Sequence, residues 1–153
     1  MKIHSEQEML DFGKRFADYI TGRTTDLGKS PQDSPHATII ELIGDVGTGK
    51  TTFTRGLAKG LGITQPITSP SFTISKSYPL PGGGNLIHYD FYRLNDAGLM
   101  ADNLREAISE NNSIIVIEWA NSISDLLPND RIVIDLKYND TGDRDLSFQH
   151  HKD

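Results

Sequence analysis

The chain has 153 residues, no cysteine, and 15 basic against 21 acidic side chains, a formal net charge of −6. That length suits one domain over 1–153, and the lack of cysteine excludes disulfides, thiolate metal sites and a cysteine nucleophile. The acidic balance argues against broad electrostatic binding to DNA or RNA, and with no apolar run near the ~20 residues that span a bilayer and no signal peptide after Lys2, a cytoplasmic protein is expected.

The first element reads as an amphipathic helix. Ser5 is its N-cap and Glu8, three residues on, completes a capping box. Met9, Phe12, Phe16 and Tyr19 or Ile20 form one apolar face, and Gly22 marks the end. Residues 22–36 are polar, with Leu27 the only large aliphatic side chain, and read as a surface loop, with a partner-binding loop as the alternative. Thr38–Ile43 reads as a strand. Its Glu41 needs a partner or a less buried face.

Thr51–Leu61 has helical spacing and is closed by Gly62. Thr64–Ser71 is a hydroxyl-rich loop. Phe72–Tyr78 and Asn85–Tyr92 read as a strand pair around a Pro79–Gly84 turn. Asn95–Glu110 reads as a helix split near Ala101–Asp102. Ile114–Ile117 is wholly apolar, as expected of a central parallel strand covered on both faces. Asn121 is the expected cap of a short helix running to Leu127. Arg131–Lys137 and Arg144–Phe148 read as a closing hairpin, with 149–153 a polar tail.

Gly44-Asp45-Val46-Gly47-Thr48-Gly49-Lys50-Thr51 matches G-x-x-x-x-G-K-[ST]. Glycines let backbone N–H groups turn inward around phosphate oxygens. Lys50 brings an ammonium to the outer phosphates, Thr51 a hydroxyl for Mg²⁺, and Gly47, Thr48, Gly49 and Thr52 further donors. Such a match arises by chance about once in 200 chains of this size. Its context, a strand before and a helix after, raises it well above chance.

Hydrolysis also needs a carboxylate for Mg²⁺ and a group that orients water. Glu118 directly follows the apolar strand, at the carboxyl end where α/β sheets bind ligands. An ordinary strand-end carboxylate is the alternative. Asp90 shares a strand face with His88 and Tyr92. It reads either as a metal or water ligand or as a salt-bridge partner of Arg93. His88 reads as a packed histidine, and His150-His151 as solvated. The chain lacks N-K-x-D and D-x-x-G of small GTPases, L-S-G-G-Q of transporter ATPases, and the Arg-rich lid of a small kinase.

Taken in order, Gly44–Thr52, Thr68-Ser69-Pro70-Ser71-Phe72, His88-Tyr89-Asp90-Phe91-Tyr92-Arg93-Leu94 and Ile117-Glu118-Trp119 resemble the TsaE family of bacterial tRNA threonylcarbamoyladenosine biosynthesis. The resemblance implies a P-loop α/β fold with a mixed sheet, parallel at its centre, flanked by helices and ending in a β-hairpin. It implies ATP or ADP with Mg²⁺ as cofactors and slow ATP hydrolysis. It also implies work with a TsaB–TsaD transferase pair, tRNA being met only through that complex. On it, Lys50, Asp90 and Glu118 are catalytic, and Thr51, Glu118 and Asp90 serve the metal. Thr68, Ser69 and Ser71 belong to a loop that closes on the nucleotide, and Glu6 and Arg144 lie near it. Ser71 in place of Thr, Ala120 in place of Pro, Glu41 in the first strand and the length of 22–36 depart from the family pattern. A small-molecule kinase and a nucleotide-gated binding module without an essential hydrolysis step are the competing readings.

Overall fold

The computed structural model describes residues 1–31, 34–70, 75–92 and 98–151. Its elements in chain order are β1 (Lys2–Ile3), α1 (Glu6–Ile20), β2 (Thr38–Ile43), α2 (Lys50–Gly60), β3 (Ser75–Pro79) and β4 (Asn85–Asp90). Then come α3 (Gly98–Ile108), β5 (Ile114–Glu118), a 3-10 helix (Ala120–Leu126), β6 (Arg131–Tyr138) and β7 (Arg144–His151). The seven strands form one sheet in the order β1-β7-β6-β2-β5-β4-β3. The four central strands β6, β2, β5 and β4 are parallel neighbours, and the outer pairs are antiparallel. This is the expected mixed α/β sheet with a parallel centre and a C-terminal hairpin.

Strand alternation sorts the core into two layers. Ile40, Leu42, Val116, Ile134 and Leu136 face α1 and α2. Ile39, Ile115 and Ile117 face α3 and the 3-10 helix. Every residue of β5 is buried, because β2 and β4 flank it and helices cover both its faces. Each fully buried large apolar side chain contributes roughly 1.5–3 kcal/mol. Phe16 ties α1 to the rest, with its ring 5.5 Å from both Phe53 of α2 and Phe148 of β7.

The capping box at α1 is present in altered form. Ser5 Oγ accepts from the Glu8 amide at 3.1 Å, while Glu8 reaches back one residue further, to the His4 amide at 2.7 Å. Glu41 has the partner its strand position demands, Arg131, at 3.0 Å. In the 22–36 loop, Leu27 packs against the core and Pro31 is buried, which anchors the segment.

Several boundaries differ from expectation. α3 runs through 101–102 without a break. The 3-10 helix starts at Ala120 with Trp119, not Asn121, at its cap. The second strand stops at Asp90, where Phe91 N turns to Glu118 O. β7 continues to His151, because β6 offers ladder partners back to Arg131. His150 therefore meets Asp130 at 2.7 Å rather than solvent alone. The two-residue β1 is too short for any periodicity to reveal. Residues 72–74 of the expected strand, 95–97 of the expected helix, Arg93 and 152–153 lie outside the described residues.

The close packing of α1 on α2 depends on two glycines. A Cβ on Gly56 would lie 2.3 Å from Leu10 O, and one on Gly13 would lie 2.5 Å from Phe53 O. Glycine to alanine inside a helix normally gains about 1 kcal/mol. Here the added methyl meets backbone, so Gly56→Ala is expected to cost about 1–3 kcal/mol, the usual range for overpacking. Urea denaturation measures it, and a variant more stable than wild type would contradict the close approach.

Candidate functional site

The site is built at the carboxyl ends of β2, β5 and β4. β2 ends at Ile43, residues 44–49 turn, and α2 begins at Lys50. A side chain at Gly44 would meet Thr48 Oγ1 at 2.6 Å and Leu136 O at 2.9 Å. Gly47 and Gly49 have φ of 84° and 106°, which L side chains resist. Asp45 O accepts from Thr48 N at 3.2 Å and from Thr48 Oγ1 at 2.8 Å, which closes the turn. No side chain caps α2, so its open first-turn N–H groups and positive end face the loop. Such an end suits an anion.

Lys50 is 6% exposed, although its head group is an ammonium. It donates to Gly44 O at 2.6 Å and lies 3.5 Å from Glu118 Oε1. Its third neighbour is the Trp119 ring, 4.3 Å from the centroid. Glu118 closes β5 and is itself 4% exposed. Its second oxygen, Oε2, is 2.5 Å from His88 Nε2. Burial pushes the Glu118 pKa up, but hydrogen bonding and attraction from His88, with further attraction from Lys50, outweigh it. The carboxyl is held below its usual 4.5. Glu118 is therefore a carboxylate at neutral pH.

Asp90 ends β4 in register with Glu118 on β5. Its Oδ1 accepts from Tyr92 N at 3.0 Å, so the residue also turns the chain. Thr51 and Thr52 are half-buried in the first turn of α2. Glu6 is exposed in the first turn of α1 and has no ion pair among the described residues. Met9, one turn later, does reach the loop, since its Cε lies 3.0 Å from a Cβ built on Gly49. Thr68 and Ser69 are exposed on the loop before β3. Thr68 Oγ1 accepts from Lys76, and Thr68 N donates to Tyr78 Oη at 3.5 Å. Ser71 lies outside the described residues.

The structure gives Arg144, expected near the nucleotide, a contact with the loop, and adds Tyr138 and the His88 contact, to which the sequence does not point. Tyr138 Oη donates to Gly47 O, and Arg144 Nη2 donates to the same carbonyl at 3.3 Å. The β6–β7 hairpin thus holds the tip of the glycine-rich loop. Tyr138 fell one residue beyond the expected strand, and nothing in its spacing points to the loop. The sequence alone suggests a packed or capped ring for His88. Its contact with Glu118 depends on a strand register that the sequence does not display. Trp119 has φ of 58°, the one non-glycine residue with positive φ among those described. Beside the loop opens a cleft of about 510 Å³, lined in part by Asp45, Thr48, Trp119, Asn121 and Tyr138.

Comparisons with known proteins show the family of the chain. The profile of the family described as Threonylcarbamoyl adenosine biosynthesis protein TsaE matches residues 3–146. The chain belongs to the TsaE family. It is 39% identical over 110 residues to the tRNA threonylcarbamoyladenosine biosynthesis protein TsaE of Bacillus subtilis, covering 72% of this chain and 68% of that protein. With the TsaE of Haemophilus influenzae it shares 34% over 139 residues, covering 90% and 81%. The crystal structure of YdiB from Bacillus subtilis superposes with a TM-score of 0.71 at 28% identity, over 99% of this chain and 84% of that one. Family membership in TsaE places the chain in threonylcarbamoyladenosine biosynthesis. Among the described residues, no helix is long and apolar enough to cross a membrane.

The lowered pKa of Glu118 carries a stability consequence. Its paired carboxylate stabilises the fold in full above 4.5, its usual value, and the contribution is lost as pH falls through the lower folded value. Glu118→Gln lacks that contribution. The stability gap between wild type and Glu118→Gln should therefore stay level above 4.5 and narrow as pH falls below it. Thermal melts on both sides of 4.5 measure it, and a gap constant or widening below that value would contradict the pairing.

Proposed function

We propose that this TsaE chain is a Mg²⁺-dependent ATPase that supports threonylcarbamoylation of tRNA together with a TsaB–TsaD-type transferase complex. One observation carries the reading. A buried ammonium and a buried carboxylate converge 3.5 Å apart at a glycine-rich turn that opens onto an uncapped helix N-terminus. Phosphoryl chemistry requires little covalent help from the protein and much positioning. These groups are the positioning apparatus it needs.

The residues present fit Mg²⁺. Thr51 offers a hydroxyl, and Glu118 and Asp90 offer carboxylates, all hard oxygen donors. Among the described residues, no group of three or more His, Asp or Glu could hold a metal by protein ligands alone. Mg²⁺ characteristically takes one or two carboxylates and completes its shell with water and substrate phosphates. When bound, the ion neutralises charge on the outer phosphates. Thr51, Glu118 and Asp90 would hold it.

The chain's own residues do the rest. N–H groups of Gly47, Thr48, Gly49, Lys50, Thr51 and Thr52 cradle the phosphates. Lys50 exchanges Gly44 O and Glu118 for a phosphate oxygen. Asp90 completes the metal site or orients the water. The water oxygen bonds to the terminal phosphorus as the bond to the bridging oxygen breaks and the water's proton passes to the departing phosphate or to solvent, leaving ADP and phosphate. Arg144 and Tyr138 brace the loop through Gly47 O. Thr68, Ser69 and Ser71 belong to a segment that closes over the nucleotide, and Glu6 stands near its rim.

Two measurements test this. Lys50→Ala should lose nucleotide binding by at least tenfold in calorimetry, and wild type should show a change in emission of the sole tryptophan, Trp119, as ADP draws Lys50 from its ring. Unchanged affinity in Lys50→Ala would remove Lys50 from the site. In the host, depletion of the protein should lower threonylcarbamoyladenosine in bulk tRNA, measured by mass spectrometry of nucleosides. Wild type should restore it and Lys50→Ala should not. A full level of the modified nucleoside after complete depletion would overturn the functional reading.

A further inference from the structure

His88 has no exposed surface, yet it is a polar ring in a layer shared with Leu86 and Val116. An apolar residue would fill that space without a desolvation cost. Its polarity therefore needs a reason, and its two nitrogens differ. Nε2 lies 2.5 Å from Glu118 Oε2, while Nδ1 is buried with no hydrogen-bond partner among the described residues. A buried N–H without an acceptor is costly. Nε2 accordingly carries a proton and donates a hydrogen bond to the Glu118 carboxylate.

Glu118 is thus held at both oxygens, by His88 at Oε2 and by Lys50 facing Oε1. The two constraints are not equivalent. Lys50 sits on a flexible four-carbon stem and is the group that must leave for a phosphate. His88 is a rigid ring on a central strand, and its backbone is registered with Val116 two residues before Glu118. We infer that His88 is a positioning residue for the reaction. It fixes the plane of the Glu118 carboxylate from behind, so that Oε1 stays aimed at the glycine-rich loop after Lys50 turns to the nucleotide. His88 touches neither nucleotide nor metal and acts only through Glu118. The inference rests on the reading of Glu118 as a carboxylate that serves Mg²⁺.

Outer partners of this kind typically change metal affinity or activity 10–100-fold. The test uses His88→Leu, which keeps bulk without a donor, and His88→Gln, whose amide nitrogen can replace Nε2–H. Turnover with the partner complex, the Mg²⁺ dependence of ADP affinity, and ADP affinity in EDTA are measured for each. His88→Leu should lower kcat and raise the Mg²⁺ needed for half-saturation, each by about tenfold or more. Affinity in EDTA should change by less than about twofold, and His88→Gln should recover most of the loss. Nitrogen-15 spectra of the metal-free wild-type protein should show the His88 proton on Nε2.

Unchanged kcat and Mg²⁺ dependence in His88→Leu would overturn the inference. So would equal losses in both variants, loss of affinity in EDTA, or the absence of a proton on Nε2. Should His88→Leu not fold, His88→Asn replaces it. Its shorter amide mimics Nδ1 and cannot reach Glu118, so recovery in Asn as complete as in Gln would also overturn it. Glu118→Gln separates the two levels. If that variant keeps full turnover and Mg²⁺ dependence, the functional reading of Glu118 fails, and this inference with it. If it loses both while His88→Leu keeps them, only the role of His88 fails.

Discussion

An ammonium taken out of water must be compensated or it will not stay charged. Lys50 is that ammonium, and the architecture around it follows from the need. Its stem starts at the first residue of α2, and its head returns to the carbonyl of Gly44, where β2 ends. One hydrogen bond thus spans the whole glycine-rich turn. The remaining charge is met by Glu118. A pair this buried is not chosen for stability alone, since apolar residues of similar volume would often serve as well or better. On the function proposed above it is a poised group, held until an anion of higher charge arrives.

The sheet order is what brings the compensating carboxylate within reach. β5 lies beside β2 and runs parallel to it, so the last residue of β5 emerges level with the start of the turn. β4 lies on the far side of β5, again parallel, and delivers His88 and Asp90 to the same end. On the other flank, β6 and β7 deliver Tyr138 and Arg144 to the Gly47 carbonyl. The loop is therefore gripped from both sides by strands, and from below by α1 through Met9. The small residues at Gly13 and Gly56 let α1 come that close. The site's geometry is thus a property of the packed sheet and not of the loop alone.

This division explains what could be read in advance. The glycine-rich turn was legible because phosphate chemistry dictates residue types at fixed local spacing. Glu118 was legible because a wholly apolar strand announces burial on both faces, and the residue after it must sit at the strand's end. β4 and β5 follow one another in the chain through α3, so their pairing is open to expectation, but their residue-by-residue register is not. His88 and Glu118 are 30 residues apart, and their contact exists only through that register. Tyr138 and Arg144 are likewise joined to Gly47 across more than ninety residues. The length of β7 was underread for a related reason: polar alternation at Gln149–His151 resembles a tail until its partner strand is known.

Trp119 shows how the same end of the sheet combines strain with electrostatics. A bulky residue at φ 58° and ψ 55° is in a sparsely populated conformation that costs of order 1–3 kcal/mol. The conformation turns the chain sharply after Glu118 and lets the ring face Lys50 at 4.3 Å, with Tyr92 at 4.8 Å behind it. A cation against an aromatic face gains about 0.5–2 kcal/mol, more as water is excluded. The two terms are of similar size and opposite sign. The Lys50–Glu118 pair beside the ring is buried, and a lower local dielectric strengthens its attraction. The strained turn is thus offset by interactions that exist only while Lys50 stays in place. Moving Lys50 to a phosphate removes that offset, so the turn after Glu118 is sensitive to what occupies the loop.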